Sequence, residues 1–205
     1  MESIIGIIKD RYIFKGEEYS TLNLRDLLDN LNKNRKIIIF DENILIKKYK
    51  FEGKNLEKFI DDKIKDEFSN REELLFHYEY IKKENIVFLY STKNILSKEL
   101  YKNVRTLEIN PIQFWIKNYL CKNYKIKDYL AILKFNNNYY LIDVAQGIVV
   151  NSFLYSHLDE LKKKINEDNK NKIIVIDSLV SELKFNKDFI VGKAGEVLYE
   201  KIYKK

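Results

Sequence analysis

Apolar positions along the chain switch repeatedly between short β-branched runs and stripes at helical spacing, which predicts a mixed α/β protein. Ile4 to Ile8 predicts a strand. Lys9-Asp10-Arg11 turns the chain into a second strand from Tyr12 to Phe14, and Lys15-Gly16-Glu17 turns it into a third, Glu18 to Thr21. Leu24, Leu27, Leu28 and Leu31 then recur at helical spacing behind Asn23, a residue type suited to capping a helix. Lys36 to Phe40 (KIIIF) has the apolar run of a strand buried on both faces.

A different unit follows. Ile44 to Phe51 sets Ile44 and Ile46 against Lys47 and Lys48, as in an exposed antiparallel strand. Leu56, Phe59, Ile60, Ile64 and Phe68 make one apolar stripe, with Asp61, Asp62 and Lys65 on the opposite face. Leu74 to Ile81 predicts another strand, and the chain then returns to a buried strand, Ile86 to Tyr90. A helix over Leu96 to Tyr101 and a strand over Arg105 to Ile109 come next. Pro111 then opens a helix carrying Ile112, Trp115, Ile116, Tyr119 and Leu120, at an end where proline is tolerated.

Near residue 124 the pattern restarts. Tyr129 to Phe135, the turn Asn136-Asn137-Asn138 and Tyr139 to Val144 predict a hairpin, and Ala145-Gln146-Gly147 leads into Ile148 to Leu154. Ser156 with Asp159 three residues later has the spacing of a capping box ahead of Leu158, Leu161 and Ile165. Lys172 to Ile176 (KIIVI) predicts a buried strand, then come a short helix or turn, a strand over Phe189 to Val191 and a helix from Ala194 to Tyr203. Each half thus runs as a three-strand meander, a helix and a short apolar strand, with KIIIF and KIIVI in equivalent places. Meander, crossover helix and parallel strand give a mixed sheet with helices on its faces. Two in tandem describe an α/β, two-lobed, duplicated ribonuclease H-like fold, the actin-like architecture. The expected lobes are 1–123, with an inserted ββα-type subdomain at about 43–82, and a minimal second lobe at 124–205.

With that insertion the chain resembles the actin-like cytoplasmic proteins of type IV pilus and type II secretion inner-membrane platforms, the PilM and GspL families. The matching succession is 36–40, 44–51, 55–68, 74–81 and 86–90, the last of which the resemblance implies runs back into the core sheet, and Val191-Gly192-Lys193-Ala194-Gly195 is similar to a small-residue turn those families carry near their end. The resemblance implies a cytoplasmic scaffold or adaptor at the inner face of the cell membrane. It would hold the short cytoplasmic tail of a single-span membrane partner in a groove between lobes and contact the assembly ATPase.

Composition narrows this picture. The 45% apolar and 14% aromatic content excludes global disorder, and 205 residues suffice for a core without disulfides. The single cysteine, Cys121, points to a reducing compartment. The net charge of +6 would suit nucleic acid, but 32 of the 37 basic residues are lysine and only 5 are arginine, alongside 28 Ile and 21 Asn. That is a general composition bias rather than an arginine-based recognition surface. No stretch approaches the roughly 18 uninterrupted apolar residues of a membrane span, and the segment Met1 to Ile8 has neither a basic start nor a small-residue cleavage site.

The chemistry of an actin-like ATPase requires two hairpins with glycine turns, where backbone amides approach phosphates and carboxylates place magnesium. In the first hairpin Ile8 stands two residues after Gly6 where the family has its Asp, and the turn Lys9-Asp10-Arg11 has no glycine. The second turns through Asn136-Asn137-Asn138, and Asp177-Ser178 replaces the Gly-Gly expected after KIIVI. ATP hydrolysis is therefore not expected, nor any cofactor. Gly192-Lys193 lacks the preceding glycine (Lys187) and the following Ser/Thr (Ala194) of a phosphate-binding loop.

A ribonuclease H-type nuclease is the alternative. It would need Asp41, Asp143 and Asp177, all near strand ends, to converge on metal ions. His77 and His157 have no ligand-spaced neighbours, so no metal site is expected. Ser156, His157 and Asp159 crowd one helix start, which does not give triad geometry. Cys121 beside Lys122 reads as an ordinary thiol, and Phe114-Trp115 and Tyr139-Tyr140 as core before partner surface. No catalytic residue is assigned.

Overall fold

The computed structural model describes residues 2–96, 98–168, 172–178, 180 and 189–204. The first meander is β1 (Glu2–Ile8), β2 (Arg11–Phe14) and β3 (Glu17–Tyr19), followed by α1 (Leu24–Asp29) and β4 (Asn34–Phe40). β1 pairs antiparallel with β2 and parallel with β4, Ile5 lying opposite Ile37 and Ile7 opposite Ile39. All four of these isoleucines are at most 1% exposed, which is why the run can be apolar throughout. β8 (Thr106–Pro111) adds to the far side of β4, so the sheet order is β3-β2-β1-β4-β8.

The second sheet repeats this. β9 (Tyr129–Phe135), β10 (Asn138–Ala145) and β11 (Ile148–Tyr155) form the meander, α4 (Leu158–Asp168) crosses over, and β12 (Ile173–Asp177) pairs parallel with β9. With β13 (Phe189–Gly192) the order is β11-β10-β9-β12-β13, the same as in the first sheet. The turns repeat too. The inner hairpins turn at Lys9 (φ 56°) and Asn136 (φ 53°), the outer ones at Lys15-Gly16 (φ 52°, 78°) and Gln146-Gly147 (φ 53°, 78°). Two successive positive-φ residues suit the twist of a tight hairpin, and the glycine supplies the second at no steric cost.

Two of the described helices pack on strands of both sheets. α3 (Ile112–Tyr124) packs on β8 and β4 of the first sheet and on β10 and β11 of the second. It buries Ile112, Gln113, Phe114, Trp115, Ile116, Lys117 and Leu120, so apolar side chains surround it rather than forming a stripe. Phe114 and Trp115 are thus core residues, as are Tyr139 and Tyr140. α5 (Ala194–Tyr203) packs on β1, β2, β9 and β12.

Residues Glu42–Ile95 form a compact unit of their own. In it β5 (Leu45–Lys50), β7 (Ile86–Lys93) and β6 (Leu74–Ile81) pair antiparallel in that order, and α2 (Leu56–Glu67) covers one face. Asn55 caps α2 by accepting from the Lys58 N–H. The placement of 86–90 in the core sheet is corrected here. β7 is the middle strand of the small sheet, and β8 takes the core position. An apolar run announces a central strand without saying of which sheet, and Val87 and Leu89 are buried beneath α2.

Three smaller expectations also change. Lys98–Tyr101 is a single 3-10 turn rather than a longer helix. α4 begins at Leu158, so Ser156 precedes the cap position, and its hydroxyl faces Asn138 Oδ1 at 3.5 Å instead of closing a capping box. A genuine capping box sits at Ser20 and Asn23, before the 3-10 turn Thr21–Asn23. The segment expected to form a short helix or turn after β12 falls largely outside the described residues.

The inserted unit carries one acid-sensitive contact. Lys47 donates to Glu67 and holds its carboxyl below the usual carboxylate range. A carboxylate depressed on folding contributes stability above its unfolded pKa and loses it as pH falls through the lower folded value. Urea unfolding compared at roughly pH 7 and pH 3 should therefore show an acid-side loss that Glu67→Gln reduces.

Candidate functional site

The two inner hairpins face each other across a cleft of about 500 Å³, lined by Ile8, Lys9, Arg11, Ile13, Glu18, Asp41, the Asn136–Asn138 turn and Tyr203. Asp41 follows β4 with φ 58°, a strained value for a residue that bears a side chain. It is held there by the second sheet. Its N–H donates to the Tyr140 hydroxyl at 3.0 Å, and its Oδ1 accepts from Asn138 Nδ2 at 2.7 Å and from Tyr140 at 3.2 Å. Tyr140 is fully buried, and burial raises its pKa far above the ordinary tyrosine value, so the hydroxyl stays protonated and able to donate.

Below this clasp Phe40 and Phe135 stack with ring centroids 4.2 Å apart, and Tyr203 tilts against Phe135 at 6.5 Å. α5 closes the same side. The Gly16 N–H donates to Ile202 O at 3.0 Å, and a Cβ on Gly16 would stand 2.5 Å from Tyr203 O, so only glycine lets the β2–β3 turn meet the helix end. Three contacts therefore bridge the sheets around the cleft, Asp41 to Tyr140, Asp41 to Asn138 and Phe40 to Phe135, and Gly16 to Ile202 ties the first sheet to α5.

The counterpart of Asp41 in the second sheet is Asp177. Each aspartate directly follows its lysine-led apolar run. Asp177 is 4% exposed and accepts from the Gly195 N–H at 2.6 Å, in the first turn of α5. A carboxylate here satisfies a helix-start donor and suits the positive end of the helix dipole. It stands where the sequence comparison expected Gly-Gly for a nucleoside.

The three aspartates do not converge. Asp41 bonds to Tyr140 and Asn138, Asp143 on β10 pairs with Lys172, and Asp177 meets Gly195. Among the described residues no group of three His, Cys, Asp or Glu is placed to hold a metal. Of the other residues weighed from the sequence, His77 stacks on Tyr90 at 5.8 Å and His157 is exposed at the start of α4. Cys121 is half-buried, with Sγ 3.7 Å from the Tyr129 hydroxyl. Gly192 pairs with Asp177 in the second sheet, in a strand end rather than a phosphate loop. Among the described residues no helix is long and apolar enough to cross a membrane.

The clasp sets a stability expectation. Tyr140→Phe removes a buried hydroxyl but leaves the Asp41 N–H and part of its carboxylate without a partner, which costs about 1–3 kcal/mol. Urea unfolding of the variant should show that loss, with unchanged far-UV circular dichroism.

No protein-family model matches the chain, and no curated protein sequence does. Solved structures do. The cytoplasmic domain of EpsL, an inner-membrane component of the type II secretion system of Vibrio cholerae, matches at 9% identity over 98% of this chain and 93% of that one, with a TM-score of 0.56. A Bacteroides thetaiotaomicron protein of unknown function with an actin-like ATPase fold matches at 10% identity over 98% and 87%, TM-score 0.50. The fold is the actin-like one. A PilM–PilN type IV pilus biogenesis complex also matches, at 8% identity over 97% and 70% and a TM-score of 0.47, and the fold assignment rests on the other two. In actin-like terms the cleft lies between the two hairpins that hold phosphates in an ATPase of this fold, and here Lys9 and Asn136 bring side chains to both turns.

Proposed function

We propose that the protein is a non-catalytic cytoplasmic scaffold of a type II secretion or type IV pilus inner-membrane platform, which holds the short cytoplasmic tail of a single-span membrane partner and contacts the assembly ATPase. The observation that carries this reading is the clasp of Asp41 with Tyr140 and Asn138. It bridges the cleft where an actin-like ATPase would take its nucleotide. The likeness to the EpsL cytoplasmic domain over nearly the whole of both chains supports the same reading. In it, residues 1–123 and 124–205 are the two lobes, and the inserted unit is an accessory of the first.

Two measurements test this. Calorimetric titration with ATP and magnesium should give no saturable heat, and micromolar binding would overturn the reading of the cleft. Affinity purification of the tagged full chain from membranes solubilised in mild detergent should recover a single-span platform protein and the assembly ATPase. Recovery of neither would remove the scaffold assignment.

A further inference from the structure

A strand at the edge of a sheet leaves a row of backbone donors and acceptors open to another chain, and proteins blunt such edges with short strands, lysines, prolines or bulges. Among the described residues three sheets present six edges, and five are blunted. β3 has three residues, two of them glutamates, and β13 has four. β8 ends in Pro111, which has no N–H to donate. β11 carries a bulge between Val149 and Asn151. β5 carries Lys47, Lys48 and Lys50. The sixth edge, β6, has none of these devices. It runs for eight residues, LLFHYEYI, in unbroken register with β7, without lysine, arginine or proline. Among the described residues no strand but β7 pairs with it, and no backbone hydrogen bond from outside its sheet reaches residues 74–80. His77 and Tyr78 in its middle are exposed, Tyr78 at 38%.

The sequence of β6 complements itself in one antiparallel register. About a two-fold axis normal to the sheet, both copies keep the same faces, so residues of like parity meet. With the axis at Tyr78, that residue meets its own copy, Phe76 meets Tyr80, His77 meets Glu79 and Leu75 meets Ile81. Phe76, Tyr78 and Tyr80 share the face that α2 covers, and the other four share the opposite face. Aromatic thus meets aromatic, imidazole meets carboxylate and aliphatic meets aliphatic, the cross-strand pairs that stabilise a sheet. Moving the axis to His77 sets Leu75 against Glu79. Moving it to Glu79 sets two glutamates together and His77 against Ile81. Tyr90 already positions the polar pair, donating to Glu79 Oε2 at 2.9 Å and stacking on His77 at 5.8 Å. A foreign strand would need only the backbone row, and the match of β6 to itself is what points to a second copy.

We propose that two copies of the chain associate through β6, antiparallel about Tyr78, and join their three-stranded sheets into one. This interface stands independently of the scaffold reading.

Sedimentation equilibrium of the full chain from about 1 to 300 μM tests it. The mass should rise from 24.7 kDa towards twice that value, with a dissociation constant on the order of 10–100 μM, as suits a small interface. His77→Glu sets glutamate against glutamate in both polar pairs and should weaken association about tenfold, with an unchanged melting temperature. Cross-linking in a Cys121→Ser background reads the register. Tyr78→Cys would have its Cβ within about 5.5 Å of its copy and should form a disulfide-linked dimer on mild oxidation. Lys82→Cys, exposed in the turn after β6, would lie opposite Leu74, roughly 27 Å from its own copy, and should not. A mass of 24.7 kDa at every concentration would leave the edge to a foreign strand or to none, and overturn the proposal. A dimer that survives His77→Glu, or that cross-links through position 82 and not 78, would overturn it too. If His77→Glu folds poorly, the cross-linking pattern alone decides.

Discussion

Phe40→Ala is expected to lower the unfolding free energy by about 3–5 kcal/mol, the range for truncating a large buried aromatic. Phe40 is fully buried at the end of β4 and stacks on Phe135 from the second sheet. Truncation loses the transfer free energy of the ring and leaves a void beside Gly6, where a Cβ would stand 3.1 Å from the Phe40 ring and where glycine has no side chain to fill the space. Urea unfolding followed by circular dichroism measures the loss. A double-mutant cycle with Phe135→Ala should return a coupling of about 0.5–1.5 kcal/mol for the stacked pair, and zero coupling would mean that the rings do not help join the sheets.

Gly195→Ala has the second large effect, and its sign is informative. Alanine in place of glycine inside an exposed helix stabilises by about 0.5–1 kcal/mol. Here the new Cβ would lie 2.6 Å from Leu133 Cδ1 and 2.8 Å from Asp177 Oδ1. Leu133 and Asp177 are both nearly fully buried, so neither has free space to retreat into. Overpacking of this kind costs about 1–3 kcal/mol, and displacement of the buried carboxylate from the Gly195 N–H adds to it. A net loss of about 2 kcal/mol or more in urea is expected. A gain in stability would show that Asp177 does not seat against the helix start as described.

Much of the fold was legible because each element announces itself locally. KIIIF and KIIVI are β-branched runs long enough for one buried strand each, Lys15-Gly16 and Gln146-Gly147 carry the glycine that positive φ favours, and the 56–68 stripe has helical spacing. What failed was information that is not local. The run 86–90 specifies burial but not the sheet in which it is buried. Ser156 and Asp159 have the spacing of a capping box, yet the helix starts two residues after Ser156, whose hydroxyl faces a hairpin instead.

The site was less legible still. Its absences, glycine from the inner turns and Gly-Gly after β12, could be read by position. The clasp could not, since Asp41 and Tyr140 stand 99 residues apart and neither lies in a recognisable motif. The available signal was modest: an aspartate directly follows both lysine-led apolar runs, and a buried carboxylate at such a place needs a hydrogen-bond donor.

The clasp is made wholly of the chain's own atoms. An ATPase of this architecture changes its geometry with the adenylates around it, so its posture reports on metabolism. A joint fastened by Asp41, Asn138 and Tyr140 is held without an adenylate. Under the scaffold function proposed above, whatever docks on this protein would meet the same surface in a starved cell as in a growing one, and the timing of that assembly would come from its neighbours.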